Sequence, residues 1–501
     1  MATVEPGRVR SGRASELGLL VLALTLGVGA YALVGLGMEG SLPGNFYVLT
    51  FGMAALGFGL HFVVRWRAPY ADPVLVPIAV GLNGLGLAMI YRLDLASQQL
   101  KGDDPGLATR QLGWTALGII AAGIVVWVLR DHRTLRRYTY TAMIVGLVLV
   151  LLPLVPGLGK QINGARIWVG LGPFSLQPAE FAKIAFAVFF AGYLVTNRDT
   201  LTLAGRKVLG LQLPRVRDLG PIIVVWIASI AVLVLERDLG TSLLFFGLFV
   251  AMLYIATERI SWVVIGLTLF AAGAVAAATS FAHVQGRFNA WLNAFDPEVF
   301  NARFGGSGQL VRGMFGMANG GLMGTGWGEG RPDLVPYAFS DFIFASLGEE
   351  LGLTGIIALL VMYLVLVERG MRIAIGTRDG FGKLLAGGLA FVVAWQCFVV
   401  VGGVTRVIPL TGLTLPFLAY GGSSLLANWI IVALLLRISD NARRPTPLPL
   451  RGAPAQSPPA SSADAVMPDD ADSLPEEHLT PGVSPGVSPG DATEIIRAVD
   501  Q

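Results

Sequence analysis

Residues 384–404 read LLAGGLAFVVAWQCFVVVGGV, an apolar run with no charged residue. A helix needs about 20 apolar residues to cross about 30 Å of hydrocarbon, and this run has that length. It is continuously apolar rather than alternating, which favours a spanning helix over a barrel strand. Outward from it, similar segments recur at 17–36, 46–64, 74–91, 113–129, 139–156, 181–196, 221–235, 240–257, 261–281, 342–367 and 422–436. The expected fold is an all-α polytopic membrane protein of about twelve transmembrane helices, with ten or eleven as the alternative counts.

Composition points the same way. Of 501 residues, 54% are hydrophobic and 14% charged, with a mean hydropathy of +0.66. A soluble domain carries roughly 25% charged residues. That excludes a soluble enzyme, a chain disordered throughout and a disulfide scaffold. Cys397 is alone, so no internal disulfide forms. His61, His132, His283 and His478 are too scattered for a histidine metal cluster. The first segment follows Arg8, Arg10 and Arg13 and is too long for a cleaved signal, so it reads as a retained helix.

Lys and Arg placement predicts the orientation. With the N-terminus inside, the cytoplasmic loops carry Arg65 and Arg67, then Arg130, Arg133, Arg136 and Arg137, then Arg198, Arg206, Lys207, Arg215 and Arg217, then Arg369, Arg372, Arg378 and Lys383. This divides the chain into a cytoplasmic N-terminus (1–16), a multi-span domain (17–440) and a cytoplasmic tail (441–501). A large outer loop, 282–341, falls between the ninth and tenth helices. The tail is rich in Pro, Ser, Ala and Asp and repeats PGVSPGVSPG, which cannot bury a core and predicts disorder.

Ionisable groups near a membrane are expensive and point to function. Four outer stretches hold them. NGARIWVGLGPFSLQPAEFAKIAF (163–186) contains Arg166, a helix start at Pro178, and Glu180 and Lys183 on one helix face. These make either a capped helix with an interfacial ion pair or a polar site whose Arg and Lys suit phosphate. LERDLGTSLLFF (235–246) sets Glu236, Arg237 and Asp238 between apolar runs, as a tight turn or a cavity-lining helix start. The third, the outer loop through 344, holds Asp296, Glu298, Arg303, Arg312, Glu329, Asp333 and Asp341 with the Gly-rich runs GGSG (305–308) and GGLMGTGWGEG (320–330). Its carboxylates suit a general base, metal ligands or plain solvated charge. TGLTLPFLAYGGSSLLANW (411–429) reads as a broken helix with Ser423 and Ser424 near a helix start, as caps or cavity hydroxyls.

These four stretches, in this order, resemble the SEDS family of membrane peptidoglycan polymerases (shape, elongation, division and sporulation proteins). The shared words are NGARIWVGLG-PFSLQPAEFAK, ERDLGTSL, GGLMGTGWGEG with SDFIFASLGEELGLTG, and TGLTLPFLAYGGSSLL. ADPVLVPIAVGLNGLGLAMIYRLD and the tail are similar to the actinobacterial RodA-type branch, with FtsW as the nearest paralogue. The resemblance implies a peptidoglycan glycosyltransferase of cell elongation and shape. It would polymerise lipid II on the outer face of the cytoplasmic membrane, beside a class B penicillin-binding protein of the elongation machinery and with a divalent cation, Mg or Mn. No nucleic acid is implied. The resemblance places the catalytic carboxylate in the outer loop before GGSGQ, at Asp296, with Glu298 as the competitor. It assigns substrate contacts to Arg166, Glu180, Lys183, Asp238, Asp341 and Ser423. The family's LP-E-x-H-T-D-F-I-F pattern stands here as VPYAFSDFIF, keeping Asp341 and lacking the Glu and His. The rival classes are a division polymerase of the FtsW type, a precursor flippase or transporter, and a non-catalytic scaffold.

Overall fold

The computed structural model describes residues 12–102, 105–162, 165–171, 174–202, 207–208, 211–212, 227, 235–236, 238–302 and 305–445. Residues 1–445 belong to one compact unit. Residues 446–501, most of the segment expected to be a disordered tail, lie outside the described residues.

The spanning helices are α1 (Arg13–Glu39), α2 (Phe46–Arg67), α3 (Leu75–Lys101), α4 (Leu107–Val128), α5 (Thr139–Leu151, continuing a 3-10 turn from His132), α6 (Pro178–Thr202), α7 (Leu239–Thr257) and α8 (Ile260–Ser280). After the outer loop come α12 (Ile343–Gly376), α13 (Gly380–Val404) and α14 (Gly422–Arg443). Eleven helices among the described residues are long and apolar enough to cross a membrane. Of the twelfth expected segment, 221–235, only Ile227 and Leu235 are described.

Helix ends fall where local chemistry puts them. α1 and α3 stop at Gly40 and Gly102, both left-handed at φ 69°, a conformation glycine adopts without steric penalty. α6 starts on Pro178 with Glu180 in its first turn. The carboxylates of Asp238 and Asp379 cap α7 and α13 by accepting from the Thr241 and Gly382 N–H groups. α3 runs well past the expected residue 91. Arg92 and Asp94 are buried with partners inside the protein, so their charge does not end the helix.

The helices differ in how much lipid they meet. Of the apolar window in α3 and in α14, 83% is buried by other helices, against 22% in the α5 and α8 spans. Exposed Leu22, Phe51, Leu117 and Ile144 coat the outer helices, as a hydrocarbon solvent requires. α1 crosses α3 at Gly27 and Gly84, where a side chain on either would lie 2.9 Å from the other's Cα. Small residues at such a crossing let backbones approach.

Two regions depart from a plain bundle. Between α5 and α6 the chain forms a three-stranded antiparallel sheet: β1 (Gly159–Ile162), β2 (Ala165–Leu171) and β3 (Phe174–Leu176). The 282–341 loop holds three helices: α9 (Ala282–Leu292), α10 (Pro297–Phe300) and α11 (Gly308–Gly320). α12 then breaks at Gly352 (φ 67°, ψ −172°), which separates a short buried half-helix from the long span.

Candidate active site

The site starts at the N-terminus of α6. Glu180 and Lys183 stand three residues apart, so one helix face carries both. Both are buried, and Lys183 Nζ donates to Glu180 Oε2 at 2.5 Å. Lys183 also donates to Gln396 Oε1 of α13 at 2.8 Å and to Asn428 Oδ1 of α14 at 3.4 Å. Gln396 Nε2 donates to Glu180 Oε1 and to the Thr414 carbonyl. A buried charge pair persists when its remaining donors and acceptors are satisfied, and these amides satisfy them.

Ser423 and Ser424 do sit at the start of α14, but neither caps it. Ser423 Oγ instead accepts from the Gln177 N–H at 2.8 Å, just before α6. Ser424 accepts from Asn428 Nδ2 through both its carbonyl and its hydroxyl. Ser424 therefore joins the polar cluster of Lys183 through Asn428, and Ser423 ties the start of α14 to the residue before α6.

The non-helical segment 405–421 is bonded on two sides. Gln396 holds Thr414, while from the outer loop Arg287 Nη1 donates to the Leu410 carbonyl at 2.8 Å. Trp291 Nε1 donates to the Arg406 carbonyl, and Arg406 donates back to the carbonyls of Trp291 and Leu292. Asp238 joins this segment through Gly240, where a side chain would lie 2.6 Å from Leu413 and 3.1 Å from the Thr411 carbonyl. Asp238 itself is buried, with both oxygens taken by Thr241.

The remaining sequence-derived residues lie further out. Arg166 on β2 is exposed, and its N–H donates to the Glu236 carbonyl at 3.2 Å, placing the sheet beside Asp238. Asp296 is exposed and caps α10 by accepting from the Glu298 N–H at 2.9 Å. Glu298 is exposed on the first turn of α10. The structure thus brings Glu180, Lys183 and Ser423 together, with Asp238 against the neighbouring segment. Arg166, Asp296 and Glu298 stand outside that cluster. Asp341 is half-buried just before α12. Burial pushes its carboxyl up to about 6, offset in part by its own backbone N–H, by the charge of Arg287 and by Gln309. Arg237 and Arg303 lie outside the described residues.

Glu236 stands apart. It is buried, and neither carboxylate oxygen has a hydrogen-bond partner among the described residues. Burial, and then the charge of Asp238, push it up to about 8. Among the described residues, no group of three or more His, Cys, Asp and Glu could hold a metal ion. Mg²⁺, however, is commonly held by one or two carboxylates together with substrate phosphates. Glu236, with two free oxygens beside Asp238, fits that weaker demand.

A second buried network was not legible as a site. Arg92 of α3 donates to Glu350 Oε1 at 2.7 Å and to the Gly330 carbonyl. Glu350 accepts from the Gly328 N–H, and Glu349 from the Arg331 N–H and Asn319 Nδ2. These carboxylates clamp the GGLMGTGWGEG loop against the half-helix of α12. The paired Glu349–Glu350, within the apolar run that follows that loop, is its sequence signal.

Residues 73–444 match the family described as "Cell cycle protein", which groups FtsW, RodA and SpoVE. The peptidoglycan glycosyltransferase RodA of Mycobacterium tuberculosis is 48% identical over 456 residues, 90% of this chain and 94% of the relative. Stage V sporulation protein E of Bacillus subtilis is 34% identical over 377 residues, 74% of this chain and 98% of the relative. A solved structure described as "structural coordination of polymerization and crosslinking by a peptidoglycan synthase complex" superposes with a TM-score of 0.59 at 25% identity, covering 74% of this chain and 98% of that one. The helical fold and the family match together define a polytopic membrane protein of the cell-cycle class. The chain belongs to the FtsW/RodA/SpoVE family, and it shares more sequence with the mycobacterial RodA than with the Bacillus sporulation protein, 48% against 34%.

Proposed function

We infer that this chain is a peptidoglycan glycosyltransferase of the RodA type that polymerises lipid II at the outer face of the cytoplasmic membrane. The enzyme class rests on the high identity to RodA across nine-tenths of the chain. The observation that carries the site is the shared segment 405–421. It is bonded both to the buried Glu180–Lys183 cluster and to the helix that leads into Asp296.

The chemistry follows from the groups present. A sugar 4-hydroxyl is a poor nucleophile near neutral pH. A positioned carboxylate that takes its proton speeds attack by about 10²–10⁴-fold. Asp296 has one oxygen on the Glu298 N–H and is exposed, so it can reach a hydroxyl brought by a lipid-borne sugar. The hydroxyl oxygen attacks the anomeric carbon of the growing strand, whose bond to the diphosphate breaks as the proton moves to Asp296. The departing diphosphate takes the electron pair and needs cations. Arg166 at the rim and Lys183 in the buried cluster are the nearest assignments, and preorganised charge acts more strongly out of water. Glu180 and Gln396 hold the Lys183 ammonium in place. Glu236 and Asp238 would hold a divalent cation, Mg or Mn, which would add charge at the diphosphate.

A class B penicillin-binding protein of the elongation machinery is the proposed partner, since the structural relative belongs to a complex that couples polymerisation to crosslinking. The basic-loop pattern supports cytoplasmic termini and an outward site. The decisive assay uses detergent-solubilised protein, purified lipid II and no membrane gradient. Glycan strands form with the unaltered chain and with Glu298→Gln, and polymerisation falls at least about 100-fold in Asp296→Asn, which still folds. Full activity in Asp296→Asn moves the base elsewhere, and absence of strands from the unaltered chain returns the reading to transport.

A further inference from the structure

At the opposite end of the bundle from the polar cluster, four arginines line one pocket of about 370 Å³: Arg67, Arg130, Arg437 and Arg444. They come from the C-terminal ends of α2, α4 and α14. We propose that this pocket binds the phosphate of an anionic phospholipid headgroup.

Basic loop placement accounts for arginines at this face but not for their convergence. Asp440 is the only carboxylate that any of the four engages among the described residues, and it is shared by Arg437 and Arg444. Three like charges are left over around one cavity. Arg437 is 2% exposed and reaches the Arg67 and Val126 carbonyls, while Arg67 donates to the Trp127 carbonyl. Even so, the Nε atoms of both Arg67 and Arg437 are buried without an acceptor among the described residues. A buried charged donor without an acceptor is costly, and phosphate oxygens are the acceptors that match a guanidinium fork.

The rim identifies a lipid as the source. Arg67 lies 4.7 Å from the centre of the Trp127 ring, and Trp66 meets Trp127 edge-on at 5.3 Å. Trp66, Phe62 and Val128 expose 66%, 63% and 71% of their surfaces beside the pocket. Tryptophan at headgroup depth with apolar neighbours below it suits an acyl chain, and basic pockets between helices suit acidic headgroups. A free phosphate makes no use of that apolar wall.

The test uses full-length protein in detergent, titrated with short-chain phosphatidylglycerol or phosphatidylcholine and followed by thermal unfolding. Phosphatidylglycerol raises Tm in a saturable way and phosphatidylcholine does not. The exposed Arg130 and Arg444 are the residues to change, because Arg67 and Arg437 also hold helix ends. Arg130→Gln/Arg444→Gln keeps the Tm measured in phosphatidylcholine, and its phosphatidylglycerol affinity falls about fivefold for each arginine removed. If the double variant does not fold, Arg130→Gln alone carries the test, since among the described residues no hydrogen bond or ion pair of the exposed Arg130 holds a helix end. Equal stabilisation by both lipids, or an unchanged affinity in the variants, overturns the proposal. Inorganic phosphate that stabilises as well as phosphatidylglycerol and competes with it overturns the lipid assignment.

Discussion

Glu180 and Lys183 show how far a single pair of side chains can be anticipated. Their three-residue spacing after Pro178 announces a shared helix face, and the structure places them in contact. Gln396 and Asn428, which satisfy the lysine, lie 213 and 245 residues away and carry no charge to draw attention. Their role is a property of the packed bundle. Removing one member of a buried pair leaves the other charged and unpaired, at a cost of about 3–5 kcal/mol. Lys183→Met therefore lowers the unfolding temperature in detergent strongly, and Glu180→Gln/Lys183→Met recovers much of the loss. Equal destabilisation by the single and double variants would show that the pair is not the source. Asp296 was singled out by family resemblance alone, because an exposed cap residue on a four-residue helix looks like ordinary loop charge.

Among the elements, the outer loop was hardest to read. Residues 282–341 gave no long apolar period, so they read as a loop, yet α9, α10 and α11 occupy much of that stretch. α9 is tied down by side chains reaching the 405–413 backbone, contacts that no local pattern encodes. The break in α12 is equally tertiary. Gly352 has φ 67°, and a side chain there would lie 2.2 Å from the Gly324 nitrogen. A non-glycine residue in such a conformation costs on the order of 1–3 kcal/mol before the collision is counted. Gly352→Ala lowers stability by at least about 2 kcal/mol on that basis and loosens the 320–331 loop, seen as faster proteolysis within it. An unchanged cleavage rate and Tm would separate the glycine from the clamp that Arg92 and Glu350 form. The four polar stretches, by contrast, stood out in the sequence because charge and glycine interrupt apolar runs visibly.

For the molecule as a whole, composition and apolar run length were sufficient to establish the polytopic helical class, since a membrane permits so few backbone solutions. The count, burial order and kinks needed coordinates. Overall stability carries a pH signature from Glu236. Its native carboxyl is raised from 4.5 to about 8, so the folded chain keeps a proton that the unfolded chain has released. Stability from this group is full below pH 4.5 and is lost as pH rises towards 8. Glu236→Gln flattens that decline and gives a higher Tm than the unaltered chain at pH 8, with little difference near pH 4.5. Parallel curves for the two proteins would reassign the proton. This measurement needs no substrate, so it stands whatever the polymerisation assay returns.

The enclosure of α14 bears on how the chain is made. It follows every other described spanning helix in the chain, yet it occupies one of the two most sheltered places among the described spans, against α3, α4, α6, α12 and α13. Everything translated earlier must wait in the bilayer with a vacant central groove, its polar walls facing lipid or a chaperone. The bundle is therefore completed only once α14 has inserted, and a chain cut short before residue 422 lacks the helix that fills this sheltered place.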